Sequence, residues 1–389
     1  MDIEKLGQSP IGTLVPIDGE HRGRAFSHFA FIPKPLPPEV PLSTGTMLVL
    51  SQAATAVGRL DGAARRLPNP ALLVRPSIRR EAVSTSALEG TYTTLPQILQ
   101  SELLEDEERP SREVEEVLAY VRASEEGFRR IKDHPLTLNL LRDLHHVLLR
   151  HDPDISDAEK GEFRRRQNFV GPRDARVEDA FFVPPPPGAP LLEGLHHWEA
   201  WIHREDVPLL VRIAIGHYQF ETLHPFVDGN GRMGRLIVAL MLLERGDLSV
   251  PLLTISPYLE ARRDEYQHRL RELSITGDYD AWIAFFLRAI KESAETALEK
   301  SEQLLLLRDE MVSKLRSLKM RGTAIRIAED LIGDPVVTAT RLAKRYGVTY
   351  QAAVYAADRL AKAGVLESVK LTRGRRAYVA PRVYQLLEW

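Results

Sequence analysis

Prolines decide where this chain can be helical. Phe31 to Gly45 reads FIPKPLPPEVPLSTG and Phe182 to Pro190 reads FVPPPPGAP. Neither stretch has the backbone donors that a helix interior needs, so helices must stop on either side of them. A weaker break, GDPVV, begins at Gly333. Between the breaks, apolar residues recur at spacings of three and four in TMLVLSQAATAVGRLDGAA, EVEEVLAYVRASEEGFRRI, LTLNLLRDLHHVLLRH and LLVRIAIGHYQFETLH, which predicts amphipathic helices. Ala281 to Met320 reads as one or two long helices joining domains, with a solvated face in KESAETALEKSEQ and an apolar stripe over Leu304 to Leu307. The fold class is therefore mainly α. At 389 residues the chain exceeds one ordinary core. It divides into an N-terminal helical region over 1–110, a helical core over 111–298, and a linker helix with a further small domain over 299–389.

Charge and cysteine content remove several classes of function. The formal charge of −2 provides no global field to recruit nucleic acid or an acidic membrane, so any basic patch is local. With no cysteine there is no disulfide framework, thiolate zinc site or cysteine nucleophile. The N-terminus MDIEKLGQSPIGTLVP carries early acids and no continuous apolar run, unlike a signal peptide. No segment approaches the roughly 18 apolar residues that span a bilayer. The expectation is a cytoplasmic protein with no membrane partner.

The chemistry is concentrated in HPFVDGNGRMGR, His224 to Arg235, which is followed by the apolar run LIVALMLLE. A loop entering a helix offers unpaired N–H groups and the positive end of the helix dipole, a natural anion site. Gly229 and Gly231 let the backbone approach an anion and adopt positive φ. Arg232 and Arg235 lie three apart, so both guanidinium forks can meet one polyphosphate. Asp228 beside phosphates needs a cation between them, and Mg²⁺ suits one carboxylate plus phosphate oxygens. His224, with an ordinary pKa of about 6.5, can take a proton near neutrality. Together they suit nucleotidyl or phosphoryl transfer to a hydroxyl. A Walker A loop does not occur, and GNGRMG lacks the preceding strand of a dinucleotide fold.

These residues resemble the Fic family signature His-Pro-Phe-x-(Asp/Glu)-Gly-Asn-Gly-Arg-x-x-Arg at every specified position. The stretch Gly161 to Pro187 looks like the approach to that family's flap hairpin, and HYQFETLHPF like the helix entering its active site. The resemblance implies a helical Fic core with a small β-hairpin flap, and transfer of AMP from ATP to a protein Ser, Thr or Tyr hydroxyl with release of pyrophosphate. Residue by residue, it makes His224 the general base and Asp228 the Mg²⁺ ligand. Gly229, Asn230 and Gly231 become the anion turn, with Asn230 orienting the α-phosphate region. Arg232 matches the β-phosphate contact and Arg235 the γ-phosphate contact. Phe226 anchors the loop, Pro225 fixes its entry, and Tyr258 lines an adenine pocket or else packs in the core. Upstream, TSALEG (Thr85 to Gly90) is similar to the family's inhibitory helix pattern, which implies that Glu89 pairs with Arg235 in place of the γ-phosphate. Other members use other nucleotides or remove AMP, and both alternatives stay open.

Several neighbours admit plainer readings. His217, Glu221 and His224 have a spacing that could hold zinc on one helical face, but Pro225 ends that helix and no further ligand is near, so His217 is expected to be packed and hydrogen-bonded. The pairs at His145 and His196 read as surface or core residues. Arg164, Arg165 and Arg166 read as a solvated run or as a contact for an acidic target. At the C-terminus, TAIRIAEDLIG, TATRLAKRYG and TYQAAVYAADRLAKAG read as three helices. A hairpin tipped by Arg373, Gly374, Arg375 and Arg376 follows them. This looks like a winged helix-turn-helix, in which Thr349, Tyr350 and Gln351 would face bases and the tip arginines phosphates. DNA is one expected partner there; a docked protein or a second copy of the chain is the other. A DNA-binding regulator using the core as a nucleotide sensor is accordingly the alternative function.

Overall fold

The computed structural model describes residues 1–21, 23–67, 69–101, 110–171, 176–370 and 376–387. Residues 172–175 of the expected flap region and the expected wing residues Arg373, Gly374 and Arg375 lie outside them. The chain opens with a short helix α1 (Ile3–Leu6) and an antiparallel hairpin, β1 (Gly12–His21) with β2 (Arg24–Pro33). Helices α2 (Thr44–Ala64), α3 (Ala71–Leu88), α4 (Leu95–Ser101), α5 (Arg112–Arg130) and α6 (Leu138–Leu149) follow. After the flap come α7 (Ala189–Ile202), α8 (Leu209–Leu223), α9 (Asn230–Glu244), α10 (Ser256–Ala261), α11 (Arg263–Thr276) and α12 (Tyr279–Ser317). The C-terminal module comprises α13 (Thr323–Asp330), β3 (Val336–Thr338), α14 (Ala339–Tyr346), α15 (Tyr350–Lys362), β4 (Glu367–Lys370), β5 (Arg376–Val379) and α16 (Pro381–Leu387). Its three strands pair antiparallel in the order β3-β5-β4. Among the described residues, no helix is long and apolar enough to cross a membrane.

Local chemistry starts these helices where the sequence supplies a cap. Ser43, Ser111, Thr137, Asp278, Thr338 and Thr349 each accept a backbone N–H from the first turn of α2, α5, α6, α12, α14 and α15 respectively, satisfying a donor the helix leaves unpaired. Helices α8 and α9 lie at the centre and are buried on nearly every side. Trp198 and Trp282 fix α7 and α12 to α8 by donating to Gly216 O and Ala214 O, each at 2.8 Å. The polar tip of each indole is thereby satisfied inside an apolar core.

Three expectations change. The N-terminal region is not helical throughout, because residues 12–33 form the β1–β2 hairpin, in register from Gly12–Pro33 to His21–Arg24. Pro16 is tolerated because β1 is the outer strand, while Phe31 of β2 donates to Val183 O of the flap at 2.9 Å. Among the described residues the flap closes through one bridge, Val170 to Phe182, and the N-terminal hairpin backs it with Phe26 against Phe169 and Phe31 against Phe182. Finally, α12 is one helix of 39 residues, so the boundary placed at 298/299 falls within a continuous element.

Candidate active site

Helix α8 delivers His224 and then stops. His224 takes the left-handed conformation, φ 48° and ψ 59°, uncommon for a residue with a Cβ and held only where surroundings insist on it. Pro225 forbids another helical turn. Phe226, fully buried, turns the loop inward and stacks on His145 with ring centroids 3.8 Å apart. His145 Nδ1 accepts the Gly161 N–H, so its Nε2 carries the hydrogen and donates to Asp228 O at 3.0 Å. Asn230 accepts the Phe226 N–H and donates to Phe226 O, both at 2.8 Å. Its side chain therefore shapes the loop, and Gly229 with φ 73° turns the chain into α9.

That turn forms one wall of a cleft of about 1060 Å³ whose lining includes Glu89, Glu116, His224, Asp228, Gly231 and Arg232. His224 Nδ1 lies 3.3 Å from Glu221 O. A carbonyl only accepts, so Nδ1 carries the hydrogen and Nε2 keeps its lone pair. Burial, and next the Arg164 cation, lower the His224 pKa to about 4, against the opposing pull of Glu89 and Asp228. The imidazole is thus neutral at ordinary pH, with the Nε2 lone pair open to a proton.

The two arginines of α9 are both buried, but they stand in different environments. Arg235 Nη2 donates to Glu89 Oε1 at 2.6 Å and to Thr85 O at 3.0 Å, while its Nε donates to Thr85 Oγ1 at 2.6 Å. Burial works against the Arg235 charge, yet the carboxylates of Glu89 and Glu221 hold its proton more tightly than usual. Glu89 caps the C-terminal end of α3, where a carboxylate opposes the helix dipole. The Arg235 cation is what compensates it there. Arg232 is held more loosely: its ion pairs with Asp228 and Glu116 are long, 3.8 and 4.0 Å, and its buried Nε has no hydrogen-bond partner among the described residues. A Cβ added at Gly231 would fall 2.0 Å from Glu89 Oε1, so the carboxylate fills the space that the glycine leaves open for an anion.

Asp228 is half-exposed at the cleft, and its Oδ1 accepts the Gly229 N–H at 2.6 Å. This single hard-oxygen group suits Mg²⁺ bound jointly with phosphate oxygens. Among the described residues no cluster of His, Asp and Glu could hold a metal unaided. The zinc arrangement does not form: His217 Nδ1 bonds Gly234 O at 3.1 Å and Nε2 bonds Tyr266 Oη at 2.7 Å, leaving neither nitrogen for a metal.

Tyr258 is not brought to this cleft. It packs 6.2 Å from Phe285 under the Arg262 guanidinium. An apolar recess of about 170 Å³ opens instead beside Arg235, lined by Leu88, Phe182, Tyr266, Leu270 and Glu221 among others. Burial raises the Glu221 carboxyl to about 7, and its Oε1 has no hydrogen-bond partner. Tyr266 and Leu270 carry no motif that would reveal them. The hairpin's contribution to the cleft, Ile17 to His21 and Phe26, was signalled only by alternation in LVPIDGEHRGRAFSHFAF. Arg164, expected to be solvated or to meet a target, is 3% exposed, with its guanidinium spent on backbone carbonyls.

Fold and site together define a mainly helical protein with two buried arginines at a loop-to-helix junction and a neutral histidine beside them. The chain belongs to the Fic/DOC family: the Fic/DOC N-terminal pattern matches residues 47–129 and the Fic/DOC domain residues 135–242. It is 34% identical over 166 residues to the protein adenylyltransferase Fic of Drosophila virilis, covering 42% of this chain and 30% of that protein. It is 29% identical over 258 residues to the Drosophila melanogaster protein of the same name, covering 64% and 45%. The chain thus spans less than half the length of these relatives. The crystal structure of a Fic family protein from Desulfovibrio desulfuricans G20 superposes with a TM-score of 0.56 at 19% identity, covering 89% of this chain and 98% of that one, which shows a shared fold.

Proposed function

We propose that the protein is an adenylyltransferase that moves AMP from ATP to a Ser, Thr or Tyr hydroxyl of a target protein, restrained by Glu89. The observation that carries this reading is the pairing of a phosphate cradle with His224 Nε2, whose lone pair is free because Nδ1 is bound to Glu221 O. The target hydroxyl gives its proton to Nε2 as its oxygen bonds the α-phosphorus. The bond from that phosphorus to pyrophosphate breaks in line. Arg232, with α9's first-turn N–H groups and Arg235 once it is released from Glu89, would hold the departing phosphates. Asp228 would hold Mg²⁺, which when bound neutralises phosphate charge. The recess beside Arg235 would take the base. The curated relatives named protein adenylyltransferases support this chemistry over a nucleotide sensor, which needs the cradle but no base.

The Glu89 restraint rests on distance and burial. Arg235 is 2% exposed and Glu89 40%, so the pair is stronger than a surface ion pair, and two Thr85 bonds support it. Keeping about one molecule in a hundred open requires roughly 2.7 kcal/mol, which charge-assisted bonds of about 1.5–3 kcal/mol each can supply. With labelled ATP, Glu89→Gly should raise self-modification by up to about a hundredfold. His224→Ala should abolish transfer yet keep ATP binding. Equal turnover in wild type and His224→Ala would sink the mechanism. Parallel incubations with GTP, UTP and CTP read the nucleotide preference, and an AMP-loaded target reads removal.

The C-terminal order of helix, strand, two helices and two strands supports reading this module as a winged helix-turn-helix, in which α15 would be the reading helix. Arg345 is engaged by Asp330 and Asp334, and Arg376 lies 3.5 Å from Asp358, so carboxylates compete for these cations. A salt series of gel shifts distinguishes DNA binding from protein docking.

A further inference from the structure

Arg164 is a buried guanidinium with no carboxylate beside it among the described residues. Burial alone lowers its pKa, to about 10. A charge in such a place is ordinarily paired, because leaving water is costly. Here backbone carbonyls take the donors: Nε donates to His224 O at 2.8 Å, Nη2 to Pro185 O at 2.5 Å and Leu223 O at 3.3 Å, and Nη1 to Arg166 O at 3.4 Å. Its own N–H donates to Pro225 O at 2.9 Å. Two of these carbonyls, Leu223 and His224, end α8, where a helix leaves acceptors unpaired and favours a cation. The other two, Arg166 and Pro185, stand on the outgoing and returning limbs of the flap. One rigid fork therefore joins the left-handed turn of the base to both limbs of the flap. Asn168 adds a neighbouring stitch, donating to Phe226 O at 2.7 Å and Val227 O at 3.3 Å.

We propose that Arg164 is the positioning residue of the site: it locks His224 in its strained conformation and fixes that base relative to the flap above the cleft. This rests on the transfer reading of His224. Nothing in the sequence run RRR distinguishes Arg164 from Arg165, which is exposed. A lysine keeps the charge but is a single point donor that cannot span several carbonyls. A methionine keeps the length and loses both charge and fork.

The test uses the full chain carrying Glu89→Gly, alone and combined with Arg164→Lys or Arg164→Met. Kinetics, thermal melting and ATP binding are measured on each. Arg164→Lys should lower kcat by roughly tenfold to a hundredfold, the scale of a misplaced reacting group. KM for ATP should stay within about twofold, because the cradle contacts are untouched. The second readout is the titration of the His224 imidazole by NMR in isotopically labelled protein, which needs no turnover. The groups acting on that ring are Arg164 from the flap's base, Glu89 from α3, Asp228 from the cradle and the Glu221 carbonyl from α8. With Glu89 removed in every variant, Arg164→Met should shift the His224 titration upward by losing the nearby cation. Arg164→Lys should leave it close to the parent value. A folded Arg164→Lys variant with parental kcat overturns the proposal. If Arg164→Met fails to fold, the lysine variant decides. If the Glu89→Gly parent transfers nothing, the transfer reading has failed, and an unmoved titration in Arg164→Met would then overturn the positioning role separately.

Discussion

A single methyl group at Gly231 would discriminate between the two anions that claim this site. The added Cβ would meet Glu89 Oε1 at 2.0 Å and Arg235 Nη1 at 2.9 Å, so Gly231→Ala should evict the Glu89 carboxylate. The same methyl would intrude on the seat proposed for the terminal phosphate. Release without a gain is therefore expected: ATP affinity falls, and label incorporation stays far below that of Glu89→Gly. A Gly231→Ala protein as active as Glu89→Gly would show that this space is not used by phosphate. At this scale the sequence was informative where chemistry is local. His224, Asp228, Gly229 to Arg232 and Arg235 all meet at one loop-to-helix junction, because the left-handed turns at His224 and Gly229 fold twelve consecutive residues back on themselves. Glu89 was legible only through a resemblance, since nothing in residues 85–90 states what lies 146 positions away. Arg164 and Tyr258 show the limit, because burial is a property of the packed molecule and not of a triplet.

Helix α3 shows how an element can be well placed yet poorly legible. Ser84, Thr85 and Ser86 are fully buried, Arg79 and Glu81 nearly so, and Pro76 lies within the helix, so no clean apolar stripe announces it. Its polar groups are instead matched to neighbours. Glu81 accepts the Ser256 N–H at 3.0 Å and also the Ser256 hydroxyl, fastening α3 to the start of α10. Burial, only partly offset by those bonds, raises the Glu81 carboxyl from 4.5 to about 7. The folded state thus holds this proton more tightly than the unfolded chain. The associated stability is fully present below the unfolded value near 4.5 and is lost as pH rises through about 7, with a slope of at most about 1.4 kcal/mol per pH unit. Glu81→Gln should remove that slope. Thermal melts from about pH 5 to pH 8 should show the variant's deficit shrinking as pH rises; a constant deficit would mean that Glu81 does not titrate there. Glu221 titrates in the same direction, and comparing the two proteins cancels its contribution. The N-terminal hairpin went unread for a related reason. Its alternation is interrupted by Pro16 and Gly19, and its apolar face becomes meaningful only against Phe169 and Phe182 of a flap some 140 residues on.

Across the whole molecule, α3 is held at both ends. Its C-terminal end grips Arg235, while its first turns are gripped by the C-terminal module. Arg75 and Arg79 lie 2.6 and 3.4 Å from Asp334, and Arg79 also donates to Gly333 O at 3.0 Å. Arg345 of α14 reaches the same carboxylate at 2.6 Å. Burial would raise the Asp334 pKa, but these arginines hold it below the usual carboxylate range. Gly333 sits so close that a Cβ would lie 2.8 Å from Leu72 O. Helix α3 runs unbroken for 18 residues between these two contacts, so loosening one end should be felt at the other. Asp334→Ala removes a carboxylate shared by Arg75, Arg79 and Arg345 and should cost on the order of 2 kcal/mol. It should also raise self-modification above wild type, because the first turns of α3 would lose their carboxylate anchor on the C-terminal module. The double variant Glu89→Gly/Asp334→Ala should be no faster than Glu89→Gly, since a clamp already removed cannot be loosened again. Label incorporation and melting temperature for the four proteins separate the outcomes. A lower melting temperature with wild-type transfer would confine the Gly333–Asp334 contact to holding the module in place, whereas raised transfer that vanishes in the Glu89→Gly background would make the C-terminal module part of the restraint on the active site.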